Sequence, residues 1–218
     1  MNQLKISTRL AVAFAVMVLL LVALGAVALV RSAHQRAELK DVVDVRIPII
    51  KALGALNDGV NEQAIQLRNL AIFTSEAIVK SATSQIAAAS ADVDVQYTTL
   101  NTLVSSEKSK ELMARMQQRR GDFLKLRDQY LTTLQQGQRD EALKLLEEQL
   151  RPAQRAYMAA IDEQFEYQFK TTVDAGALAE SAALALQRDV LIAAALAIGI
   201  AIFLAITIIR SITRPLAQ

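Results

Sequence analysis

The sequence has no cysteine, no tryptophan, one histidine, three prolines and seven glycines in 218 residues. Without cysteine there are no disulfides, no thiolate nucleophile and no cysteine-based zinc site, so an oxidising compartment is permitted. The one histidine, His34, has no partner residues for a metal site or a triad and reads as a surface residue. Turn punctuation is scarce and aromatic residues make up only 5% of the chain, which favours long helices over sheets. No glycine-rich phosphate loop occurs, and no nucleophile, base and orienting group recur at workable spacing, so neither an enzyme nor a cofactor is expected. The net charge is +2 with no arginine run interleaved with aromatics, which argues against a nucleic-acid partner.

What the chain has in excess is apolar sequence. Leu10 to Val30 and Val190 to Ile209 are uncharged runs. At ~1.5 Å per residue each covers the ~30 Å hydrocarbon core of a bilayer. A cleavable signal is the alternative for the first run, since Lys5 and Arg9 precede it and Ala26-Val27-Ala28 resembles a cleavage site. The run is longer than the ~7 to 15 apolar residues usual in signals, which favours a span. A buried core helix is the alternative for the second run, but no bundle this small could surround it. Lys5 and Arg9 before the first run, and Arg210 and Arg214 after the second, put both ends in the cytoplasm. The expected organisation is a cytoplasmic segment 1–9, a transmembrane helix 10–30, an outer domain 31–189 (periplasmic in a bacterium), a transmembrane helix 190–209, and a coupling segment 210–218.

The outer domain reads as four long helices. Leu53, Leu56, Val60, Gln63, Leu67, Leu70 and Thr74 alternate steps of three and four, the spacing of a helix-helix seam. Pro48 is expected to kink this helix, and Thr74-Ser75-Glu76 to end it and cap the next. The second helix carries Val79, Ala82, Ile86, Ala89, Val93, Tyr97, Leu100 and Val104, and Ser106 is placed to cap the third. The third carries Leu112, Met116, Phe123, Leu126, Tyr130 and Leu134 and stops at Gly137. A short helix, 140–150, is expected before Pro152, which suits the first turn of a fourth helix bearing Tyr157, Ile161, Phe165 and Phe169. The fold class is all-α: an antiparallel up-down-up-down four-helix bundle continuous with two transmembrane helices. Threading then gathers residues near 70–80, 125–136 and 150–160 at the membrane-distal end.

This layout, followed by Arg210-Ser211-Ile212-Thr213-Arg214-Pro215-Leu216, resembles bacterial methyl-accepting chemotaxis proteins with a four-helix-bundle sensor domain. The tail is similar to the start of a HAMP domain, and the stretch before Arg151-Pro152 to the linker ahead of the family's fourth sensor helix. The resemblance implies a homodimeric membrane chemoreceptor that takes a small carboxylate ligand and signals to a cytoplasmic kinase complex through a further C-terminal part. Histidine kinases and cyclic-dinucleotide enzymes share the same sensor and HAMP start, and a ligand-free membrane-tethered bundle is a further alternative.

Arginines gather where the threading brings helix ends together: Arg68, Arg127, Arg151 and Arg155. Guanidinium forks bind carboxylates bidentately, and in the family arginines beside the dimer seam do so. Tyr130, on the face of Arg127, and Tyr157, Thr133 and Thr83 are candidate hydroxyl donors to the same ligand. For each arginine alone, a solvated face with weak surface ion pairs is the alternative. Arg119 or Arg120 falls on the third seam nearer mid-bundle, and Gln63, Gln164 and Gln168 read as buried polar residues that fix register.

Overall fold

The computed structural model describes residues 6–213, which are helical almost throughout and contain no strand. Helix α1, Ile6–Asp41, passes through a π-helical turn, Val42–Arg46, into α2, Ile47–Ile72. Helices α3, Glu76–Leu103, and α4, Glu107–Gln135, follow after three-residue links. Helix α5, Arg139–Leu145, leads through a second π turn, Leu146–Leu150, into α6, Arg151–Thr213. The chain divides into two compact units: Asp41–Asp174 forms one, and the segments up to Lys40 and from Ala175 onward form the other.

The two π turns share a cause. Pro48 and Pro152 each lie two residues beyond a π turn, and neither has an N–H for the carbonyl four residues back, at Asp44 and Glu148. A proline ring also crowds that carbonyl in a regular helix. The wider turn, closed by Ile47 N–H to Val42 O and by Arg151 N–H to Leu146 O, draws the carbonyl out of the way. This corrects the expectation of a separate short helix. The fourth long helix begins at Arg139, and Pro152 lies inside it.

The bundle, Asp41–Asp174, has one core. Leu53, Leu56, Val60, Gln63, Leu67 and Leu70 are buried at alternating steps of three and four, as their spacing requires. Ala82, Ile86, Ala89, Val93, Tyr97 and Leu100 of α3 are buried, as are Leu112, Met116, Phe123 and Tyr130 of α4 and Tyr157 and Ile161 of α6. Thr74, Val79 and Phe169 are not core residues; Thr74 lies in the α2–α3 link, and Phe169 is 54% exposed. The helix stops follow local chemistry. Ser106 Oγ accepts from Ser109 N at 3.2 Å, and Gly137 takes a φ of 78° that only glycine adopts without strain. Ser75 stands at the start of α3 with no side-chain cap bond.

In the other unit, two helices are long and apolar enough to cross a membrane, and almost none of their most apolar stretches is buried. Lys5 and the tail residues Arg214, Pro215 and Leu216 lie outside the described residues.

Candidate functional site

Helices α2 and α6 meet along a polar seam. Asn57 Nδ2 donates to Asp162 Oδ1 at 3.1 Å, and Arg46 Nη1 donates to the Thr171 carbonyl at 3.0 Å while its Nε pairs with Asp41. These bonds fix an antiparallel register. Eleven residues make about three helical turns and return a side chain to nearly the same face. Eleven residues along α2 from Asn57 is Arg68, and eleven back along α6 from Asp162 is Arg151. Both arginines therefore come onto the α2–α6 seam at one level, ~16 Å from the Asn57–Asp162 bond. Arg155 stands one turn further along α6.

All three arginines are exposed, and none forms an ion pair among the described residues. Arg68 Nε donates to the Ala64 carbonyl of its own helix, which holds the fork in place with its terminal nitrogens unbonded. Glu147 and Glu148, in the π turn just before Arg151, make no bond to it. Three cations without counterions on one seam are suited to a small polyanion.

The other expected site residues lie elsewhere. Arg127 occupies a seam position on α4, four residues after Phe123 and three before Tyr130. Its Nη1 donates to Gln63 Oε1 of α2 at 3.1 Å and to Ser90 Oγ of α3 at 3.0 Å, and Asp128 takes its Nε and Nη2. Tyr130 is fully buried, with its hydroxyl on the Leu67 carbonyl at 2.8 Å. Burial pushes its pKa up to about 12, against a small pull downward from Arg139. Thr83 and Thr133 donate to Val79 and Gln129 carbonyls of their own helices.

Tyr157 is buried with its hydroxyl donating to Tyr97 at 3.1 Å, and burial raises both phenols. The fourth long helix starts at Arg139, whose guanidinium bonds the Ala71 carbonyl at the α2–α3 end. In the Asn57–Asp162 register, Arg151 is level with Arg68, about one turn from the end of α2, and Arg155 and Tyr157 stand lower. The expected residues divide between an exposed α2–α6 seam and a separate, buried polar core.

That core has two members which sequence reading undervalued. Arg120 lies seven residues before Arg127 on the same α4 seam, pairs with Asp94 and stacks over the Tyr97 ring at 4.6 Å. Ser109, 1% exposed, accepts from both Gln164 and Gln168 of α6 at 2.5 Å. The heptad spacing of the two arginines is the signal that exposes them; Ser109 carries none, since it sits in the first turn of α4.

The model of the four helix bundle sensory modules for signal transduction matches residues 3–183. The chain belongs to this family. The module is that of methyl-accepting chemotaxis proteins, a signal-transduction module and not a known catalytic domain. No curated protein matches the chain. Within a four-helix sensory module, a cationic seam between its first and last long helices joins a candidate ligand contact to the helix that leaves the bundle.

Proposed function

We propose that this sensory module is the receiving half of a transmembrane chemoreceptor that binds a small anionic ligand, an organic acid or amino acid, in the periplasm. What supports the reading is Arg68 opposite Arg151: like charges at one level of a helix seam, with no acid between them. Arg155 adds a third fork, and a ligand with two or more carboxylates balances the set. The polar hub at Arg127 and the phenols of Tyr130 and Tyr157 act as support that fixes the helices around the seam.

The chain sits in a bacterial inner membrane with both ends cytoplasmic, in keeping with Lys5, Arg9, Arg210 and Arg214 beside the apolar runs. It works as a homodimer, and its tail begins a HAMP domain that carries the signal toward a cytoplasmic kinase complex. A ligand drawn between α2 and α6 favours one placement of α6 over another, and only that difference in affinity does the work. Sliding of packed helices by ~1 to 2 Å is a known form of such a change.

The test is calorimetric titration of residues 31–189 with a panel of amino acids and di- and tricarboxylates. Saturable heat from at least one of them is expected. No saturable heat from any member of the panel counts against the reading.

A further inference from the structure

The unit that holds α1 up to Lys40 and α6 from Ala175 contains a groove of about 330 Å³. Its walls are apolar: Leu20, Leu24 and Val27 line it at helical spacing on α1, and Ala193 and Ala197 leave it open on α6. Its only charged lining residues are Arg31 and Asp189. Each stands one residue outside an apolar run, Arg31 after 10–30 and Asp189 before 190–209. From Leu20 to Arg31 is ~16 Å of helix, about half of a ~30 Å hydrocarbon core. With the apolar runs in a bilayer, the groove spans one leaflet and its charged mouth lies at the headgroups.

We propose that the groove holds one tail of a phospholipid whose head carries both a phosphate and a primary ammonium, the phosphate on Arg31 and the ammonium on Asp189. The tail does not select the lipid, because lipid tails are as apolar as the leucines that line the groove. Selection comes from the mouth. The Arg31 fork fits phosphate oxygens and makes no ion pair among the described residues. Asp189 is paired only with its exposed neighbour Arg188, at 3.5 Å. An ethanolamine head offers N–H donors to the Asp189 carboxylate. A choline head has none, and a glycerol head leaves that carboxylate facing a phosphate with no cation between them. The proposal rests on the apolar runs lying in a bilayer and not on the arginine pair of the bundle.

The experiment uses the full chain, reconstituted with equal parts of phosphatidylethanolamine, phosphatidylglycerol and phosphatidylcholine of the same tails, with retained lipid read by native mass spectrometry. Wild type is expected to retain phosphatidylethanolamine at least about tenfold over the other two, the factor of one hydrogen bond to a charged group. Asp189→Asn brings the three lipids level, and Arg31→Gln lowers retention of all of them. Ala193→Leu fills the groove without touching the mouth and also lowers retention, with helix content unchanged by circular dichroism. Equal retention by wild type, a preference for phosphatidylglycerol, or wild-type retention in Ala193→Leu overturns the proposal. So does a lipid-free dimer cross-linked through cysteines placed at 193, which makes the groove a seat for a second copy's span.

Discussion

Arg68 and Arg151 stand at one level of the α2–α6 seam as like charges, three helical turns from Asn57 and Asp162, which occupy the equivalent faces and are hydrogen-bonded. One seam thus holds both a satisfied polar pair and an unsatisfied cationic pair. The difference separates arginines that hold the bundle from arginines free to meet a ligand.

Unfolding measurements distinguish the two kinds. Arg127→Ala removes the bonds to Gln63 and Ser90 and strands Gln63 Oε1 in the core. It is expected to lower the unfolding free energy in urea by about 1 to 3 kcal/mol. Arg68→Ala removes an exposed cation that faces another, and a change within about 0.5 kcal/mol is expected. A loss for Arg68→Ala as large as for Arg127→Ala would assign Arg68 to the scaffold.

The Ser109 layer behaves as a buried polar unit. Ser109→Ala leaves the amides of Gln164 and Gln168 without their acceptor and is expected to cost about 1 to 3 kcal/mol. Gln164 also carries a buried oxygen with no partner. Gln164→Leu, which removes both polar atoms, is therefore expected to be near neutral alone and to recover part of the loss in the Ser109→Ala background. Urea midpoints of the two single variants and the double variant check this.

The alkaline limb of stability follows from the buried phenols. An unfolded tyrosine ionises near 10 and Tyr130 in the bundle at about 12, so the unfolded chain releases that proton first. The contribution of the neutral phenol is complete below pH ~10 and is lost as pH rises toward about 12. Urea midpoints at pH 8 and pH 11 are expected to fall less in Tyr130→Phe than in wild type. That variant also starts lower at pH 8, having lost the bond to Leu67. An equal fall in both proteins contradicts the assignment.

Two glycines of α2 offer a matched pair. A Cβ on Gly54 meets nothing within 4 Å, so Gly54→Ala is expected to gain up to about 1 kcal/mol of helix propensity. A Cβ on Gly59 lands 2.8 Å from Val93 Cγ2, a short branched side chain fixed in the core. Gly59→Ala is expected to lose that gain to overpacking, which costs about 1 to 3 kcal/mol. Thermal midpoints should move apart, upward for Gly54→Ala and flat or downward for Gly59→Ala.

The helix count, the links and the buried faces were legible because seam spacing, the Ser106 cap and the Gly137 stop each act within a few residues. The start of the fourth helix was not. Pro152 reads as a first-turn proline on local grounds, and only the π turn at Leu146–Leu150 lets the chain carry it inside a helix. That shift places Arg151, Arg155 and Tyr157 inside a helix and not at its start. Of the candidate site, the residue types were legible and the face that each side chain takes was not. Whether Arg127 or Leu126 turns inward depends on Gln63 and Ser90, which lie on two other helices. The pairing of Arg68 with Arg151 depends on a register that the Asn57–Asp162 bond reveals.

The most direct measure of the arginine seam is the affinity of the strongest panel ligand for residues 31–189 carrying Arg68→Ala, Arg151→Ala or both. Each single change is expected to weaken binding at least about tenfold, ~1.4 kcal/mol, and the double variant by less than the product of the two, since one polyanion is shared. Unchanged affinity in both single variants, with the fold intact, would contradict the account.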